Sequence, residues 1–310
     1  MNVEMIKAVV IGHAVADALG VPVEFSRREK LEANPVTEMM GFGHYKVPAG
    51  SWSDDTSMTL CTMDALATVG LDYERIMENF VRWYNLSEFT PTGTVFDIGI
   101  TCSQAINDFF FFSKPALLCG QKSERANGNG SLMRIHPVVL YLAEKDIPIE
   151  EKLEKVYDVS ALTHAHERSK MGCGIYAFVL WELLKNPTMS ALKDGLAKAA
   201  AYYQGQEEYV HYSRMFEENF AELPSSEIKS SGYVVHTLEA VIWCLLNTDN
   251  YKDAVLKAVN LGEDTDTVAA IAGSRAGALY GYDAIPQQWL DVLIKRDYIE
   301  EMCNALAKQI

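Results

Sequence analysis

Two stretches of the chain carry a small residue at every fourth position, and they constrain the fold more than any other feature. Gly12, Ala16 and Gly20 form one series; Gly273, Gly277 and Gly281 form the other. A spacing of four places each series on one face of a helix, where a second backbone can approach closely. Each glycine inside a helix costs about 1 kcal/mol relative to alanine. Packing these two helices against each other offsets that cost, and it brings the two ends of the sequence into one central site.

The remainder of the 310-residue chain is consistent with this. Apolar residues recur mostly at helical spacing. Asp72–Tyr84 sets Ile76, Phe80, Val81 and Tyr84 on one face, and Glu167–Leu184 aligns Met171, Ile175, Phe178, Val179 and Glu182. Gly232–Leu246 and Ala254–Leu261 read the same way, and Lys295–Ile310 reads as a closing helix. Strand-like alternation is scarce, and the run Val138–Leu142 is ambiguous. No Pro/Ser linker and no fixed repeat divides the sequence. We therefore expect an all-α chain forming one domain over residues 1–310, with functional loops at helix starts.

Asp and Glu total 42 against 27 Lys and Arg, a net charge of -15. Such a surface repels phosphate backbones and anionic lipid, which argues against general nucleic-acid binding and membrane docking. No uninterrupted run of 18 apolar residues occurs, and the first twenty residues carry no secretory cleavage pattern. Cys61, Cys102, Cys119, Cys173, Cys244 and Cys303 include no C-x-x-C pair and read as reduced, mostly buried thiols. The expected location is cytoplasmic.

Two acidic clusters each precede an apolar helical pattern. One is Gly50–Thr56 (GSWSDDT), the other Asn260–Thr267 (NLGEDTDT). Capping explains part of this: Ser53 suits an N-cap, Asp54 and Asp55 suit the positive end of a helix, and Asp264 or Thr265 suits the second start. Yet the carboxylates are denser than caps require. If the glycine-bearing helices bring the clusters together, Asp54, Asp55, Asp264 and Asp266 converge, and like charges at that range need cations. Two hard divalent ions suit four carboxylates, with Ser53, Thr56 and Thr267 hydroxyls as extra donors. No His/Cys set has zinc spacing. Glu24 is a further loop carboxylate, and Asp17, inside an apolar helix, needs a backbone or charged partner.

The segment Asn127-Gly128-Asn129-Gly130-Ser131-Leu132-Met133-Arg134 permits positive φ, so its amides can form a concavity that holds an anion such as a diphosphate. Arg134 either adds charge or braces the loop. His164, just before a helix, and Tyr233, after Ser-Ser-Gly, complete the candidates; Tyr233 could stack on a base.

Taken together these motifs resemble the ADP-ribosylglycohydrolase family, of the dinitrogenase-reductase-activating and ADP-ribosylhydrolase type. The matching pieces are GHAVADALGVPVEF (12–25), GSWSDDTSMTL (50–60), FDIGITCSQAI (96–106), NGNGSLMRIHP (127–137), LTHAHERS (162–169), SGYVVHTLEAVIW (231–243) and AVNLGEDTDTVAAIAGSRAGALYG (258–281). They run in the family's order and span almost the whole chain. The resemblance implies a compact orthogonal helical domain around a dinuclear cleft holding two Mg2+ or Mn2+ ions. It implies metal ligation by Ser53, Asp54, Asp55, Asp264, Asp266 and Thr267. It makes Glu24 and Asp97 the catalytic carboxylates near the reacting ribose, and gives ADP-ribose contacts to Asn127, Gly128, Asn129, Gly130, Ser131, Met133, His164 and Tyr233. Ser53 stands where the family usually has Thr, Ala16 replaces a usual Gly, and His13 is uncommon; none of these removes a metal-binding oxygen.

The implied reaction is hydrolysis at C1 of the terminal ribose of an ADP-ribosylated protein or small molecule, releasing ADP-ribose. The alternative readings are a silent module that binds ADP-ribose or a nucleotide on the same fold, and a structural protein. Glu-rich Tyr202–Ser231 is the expected acceptor-selecting rim, and its acidity favours a guanidinium acceptor.

Overall fold

A Cβ built on Gly12 would lie 2.7 Å from the carbonyl oxygen of Gly273, and one on Gly273 would collide with the Gly12 carbonyl. The computed structural model, which describes all 310 residues, thus packs the helices Val3–Gly20 and Thr265–Tyr280 backbone to backbone at the centre of the molecule. Gly277 abuts the Ala8 carbonyl, and Gly20 lies against the backbone of Thr265 and Asp266. Gly281 departs from the expected series. It follows the last helical residue with φ +85° and open space where a Cβ would sit, so it ends the helix rather than packing it.

Residues Val3–Val23 reach a hydropathy of 1.6, long and apolar enough to cross a membrane although no uninterrupted apolar run exists; 89% of that window is buried inside the protein. The helix is apolar all round because protein surrounds it all round. It packs on Thr265–Tyr280, on Arg296–Ala307 and on Asp54–Thr68. The buried apolar side chains form one connected cluster of 87 residues. Each fully buried Leu, Ile or Phe among them contributes about 1.5–3 kcal/mol relative to exposure.

The chain is 67% helical and has no strand, as the periodicity predicts. Only two isolated bridges occur, Gln121 with His164 and Gly128 with Tyr233. Val138–Leu142 lies in the helix His136–Ala143, started by Pro137. Asp72 caps Tyr73–Leu86 through its side chain, but the buried face is Ile76, Met77, Asn79, Phe80 and Trp83, with Val81 and Tyr84 only partly covered. Polar Asn79 belongs to that face because its amide donates to the Cys61 carbonyl and to Asp64 on the neighbouring helix. Gly232 and Tyr233 stay outside Val234–Leu246, engaged by the 127–129 loop, and Ala254–Leu261 resolves into Tyr251–Val259. Helix Arg296–Ala307 closes the chain, and all six cysteines are buried and unpaired.

Candidate functional site

Asp17 lies in the last turn of the helix Val3–Gly20, wholly buried, and its carboxylate accepts from the backbone N–H of Ser53 (3.0 Å), the N–H of Thr56 (3.1 Å) and the Thr56 hydroxyl (2.6 Å). It clamps the first acidic loop to the central helix. Burial pushes its carboxyl up to about 6, against the opposing pull of these donors. The Thr56 hydroxyl, offered by its spacing as an extra metal donor, donates its proton to Asp17. Ser53 caps Asp54–Thr68, its Oγ accepting from the Asp55 N–H at 3.2 Å.

The second loop turns through Gly262 (φ +78°) and Glu263 (φ +61°) and pairs with the Glu24 loop: Phe25 N–H donates to the Glu263 carbonyl, and Glu263 N–H to that of Ser26. Asp264 occupies the N-cap position of Thr265–Tyr280, yet its side chain makes no cap bond. It accepts instead from Asn129 Nδ2 at 2.8 Å. Asp266 accepts from the Thr267 N–H at 2.8 Å, and the Thr267 hydroxyl donates to Asp55 at 3.1 Å. That last bond ties the two clusters directly, 212 residues apart in sequence.

Oxygens of Glu24, Asp264 and Asp266 lie within 4.8 Å of one another. Glu24 Oε2, Asp55 Oδ1 and Asp266 Oδ2 are buried with no hydrogen-bond partner. Buried partnerless carboxylate oxygens are costly, and several around one point fit a hard cation. Burial first, then mutual repulsion, pushes Asp54, Asp55 and Asp266 well above the usual carboxylate range. Asp264 is raised too, and burial with Asp97 lifts Glu24 to about 10. This donor set cannot be fully ionised without added positive charge, so it can hold a metal.

Asp97 faces the cluster from a loop, with its backbone in the left-handed region at φ +50°. For a residue other than glycine that is stored strain, a feature of functional sites. Its neighbour is Tyr45, whose hydroxyl is raised well above its usual range by burial and then by the Asp97 and Glu24 charges.

These groups open into a cleft of about 270 Å3 lined by Glu24, Asp54, Asp97, Asp264 and Thr267 and also by Gly128, Asn129, Gly130, Met133, His164 and Gly232. Ser53, Asp55 and Asp266 lie buried just outside its lining. The glycines of the 127–130 loop do not adopt the expected positive φ. Gly130 is required by space, since a Cβ there would sit 2.8 Å from Cys102 Sγ and 2.9 Å from the His164 ring, whereas a Cβ on Gly128 would meet only ordinary contacts. The Asn129 N–H is spent on the Gly232 carbonyl, which leaves the amides of Gly128, Gly130 and Ser131 free of internal acceptors. His164 is buried, its Nδ1 2.8 Å from the Thr163 hydroxyl, and burial with nearby Arg134 lowers it to about 3, so it is neutral. Arg134 braces the loop, donating to Thr163 Oγ1 and the Val159 carbonyl, and does not enter the cleft.

Three predicted contacts sit outside the cleft lining. Asn127 braces the loop, accepting from Ser169 Oγ and donating to the Glu124 carbonyl. Ser131 Oγ is buried and accepts from Ser160 Oγ at 2.8 Å. Tyr233 is half-buried, edge-on to His236, with the Arg168 guanidinium 5.9 Å from its ring centre. No residue of Tyr202–Ser231 is among those lining the cleft. Instead its Glu208 pairs with Arg168, and its Arg214 with Glu239. Sequence reasoning missed Tyr45, Phe25, Thr101 and Cys102. The last three lie inside or beside recognisable motifs, whereas Tyr45 had no sequence signal.

The ADP-ribosylglycohydrolase family model matches residues 3–310. An ADP-ribosylarginine hydrolase, Tri1, of Serratia proteamaculans is 33% identical over 98% of this chain and 79% of its own length. An ADP-ribosyl-[dinitrogen reductase] glycohydrolase of Rhodospirillum rubrum is 29% identical over 96% of this chain and 94% of its own. A solved structure titled an ADP-ribosylglycohydrolase-related protein complex superposes with a TM-score of 0.82 at 30% identity, covering 99% of this chain and 97% of that one.

Proposed function

The chain belongs to the ADP-ribosylglycohydrolase family and is a hydrolase of ADP-ribosyl groups, and from that premise we propose that it cleaves the C1 glycosidic bond of ADP-ribosyl-arginine in a metal-dependent reaction that releases ADP-ribose. The observation that carries the metal dependence is the set of buried, partnerless oxygens on Glu24, Asp55 and Asp266, drawn from both ends of the sequence. Asp54, Asp55, Asp264 and Asp266, with the Ser53 and Thr267 hydroxyls, would hold two divalent cations, Mg2+ or Mn2+, which supply Lewis acidity toward the ribose and the attacking water.

The protein residues supply the rest. The free amides of Gly128, Gly130 and Ser131 suit the diphosphate, which a surface of net charge -15 would otherwise repel. Neutral His164 packs beside them without adding charge. Glycoside cleavage needs one group to protonate the departing atom and another to take a proton from water. Glu24, in the wall of the cleft beside Asp97, is suited to protonate the departing arginine nitrogen. Asp97 is suited to accept the water proton and to pass it back to its neighbour Glu24. Arginine as acceptor rests on the relative named for that bond, not on the Tyr202–Ser231 segment.

Turnover of ADP-ribosyl-arginine by wild type and by Glu24→Gln tests this assignment. The variant should lose about 100-fold or more in kcat, the share typical of positioned proton transfer. A variant as fast as wild type removes Glu24 from the reaction.

A further inference from the structure

Glu24 and Phe25 line the cleft, and they also line a second, open hollow of about 630 Å3 on their far side. The other walls of that hollow are Pro22, Ser26, Arg27, Lys30, Gly43 and His44. Phe25 forms the divide between the two. Its backbone is left-handed (φ +60°), the residue is 59% exposed, and its ring meets His44 edge-on at 5.0 Å. His44 meets Tyr45 at 4.7 Å, and Tyr45 meets Phe96 at 5.0 Å, so an aromatic row runs from the divide toward Asp97.

The exposed lining of this hollow is basic. Arg27, Lys30 and His44 are exposed, and neither Arg27 nor Lys30 has a carboxylate within ion-pair distance. The chain as a whole carries -15. A basic hollow on an acidic protein is complementary to a negatively charged partner.

Resting on the proposed reaction, we infer that this hollow docks the acceptor protein and reads acidic residues flanking the ADP-ribosylated arginine. The 270 Å3 cleft beyond Glu24 receives the ADP-ribose, so the acceptor leaves the scissile bond on the opposite side, past Phe25. The flat guanidinium of the modified arginine meets the exposed face of Phe25. Asp or Glu on either side of it meets Arg27 and Lys30. The bonds are long-range and solvent-exposed, so they act on encounter and binding and not on the chemical step.

The test uses peptides carrying one ADP-ribosyl-arginine flanked by Asp/Glu or by Lys, alongside free ADP-ribosyl-arginine. It compares wild type with Arg27→Glu/Lys30→Glu. Both side chains are exposed and unpaired, and Arg27 precedes a helix start where a carboxylate is tolerated, so the double variant keeps the fold. Lys193→Glu/Lys308→Glu, exposed residues away from the hollow, makes the same change in net charge. Wild type should favour acidic flanks through KM, and Arg27→Glu/Lys30→Glu should raise KM for those peptides about tenfold with kcat unchanged. Free ADP-ribosyl-arginine and the Lys193/Lys308 variant should show no such shift. Equal KM for both flanks, or equal KM shifts in the two double variants, overturns the acceptor surface alone. No turnover of free ADP-ribosyl-arginine by wild type overturns the reaction and the surface with it.

Discussion

Asp17 and Tyr45 show how much of the site the sequence discloses at the scale of single residues. Asp17 is legible because an ionisable group on an apolar helical face demands partners, and the structure supplies three donors. Tyr45 is not legible: it lies in an irregular loop, and its role comes only from the long-range fold that sets it beside Glu24 and Asp97. Gly130 was legible in kind but not in cause, since crowding against His164 and Cys102 cannot be read from spacing. Two predictions belong here. Asp17→Ala should destabilise the chain by about 2–4 kcal/mol in urea unfolding, because it strands two buried amides and a hydroxyl. A loss under about 1 kcal/mol would mean the loop does not depend on that clamp. Asp54→Ala should cut turnover by about a thousandfold while leaving the far-ultraviolet circular dichroism unchanged. Near-normal turnover would take Asp54 out of the centre.

At the scale of elements, the helices were readable wherever one face is apolar and the ends carry caps, as with Asp72 and Ser53. Boundaries failed where a loop elsewhere captures the helix start, as the 127–129 backbone does at Gly232 and Tyr233. The two central helices depend on bare backbone contact, which gives a direct test. Gly12→Ala puts a methyl 2.7 Å from the Gly273 oxygen, a main-chain atom that cannot swing aside. It should cost about 2–3 kcal/mol or more, despite the better helix propensity of alanine. Gly99→Ala, with nothing within 4 Å, should stay within about 1 kcal/mol. Equal effects in thermal unfolding would contradict close packing as the reason for the glycines.

The whole molecule is an acidic protein folded around an acidic centre, and its stability should report the state of that centre. Burial raises Asp17 to about 6 and Glu24 to about 10, with Asp54, Asp55, Asp264 and Asp266 also raised. Folded-state values above the unfolded ones mean the fold binds the extra protons. Their stabilising share is complete below about pH 4 and is lost as pH rises through the folded values. The buried histidines His13 (about 4) and His164 (about 3) act oppositely, but only below their unfolded value of 6.5. Between pH 7 and 9 the carboxylates therefore dominate: the chelated chain should lose melting temperature as pH rises, and magnesium should restore more of it at the higher pH. A chelated chain that gains stability over that range, indifferent to magnesium, would contradict a cation-neutralised centre. The reaction itself gives the sharpest test: release of ADP-ribose from ADP-ribosyl-arginine, in magnesium, in excess EDTA, and after magnesium is added back. Release that stops on chelation and returns on add-back is the predicted result. Turnover undiminished by EDTA would contradict the metal-dependent hydrolase built here from two acidic loops.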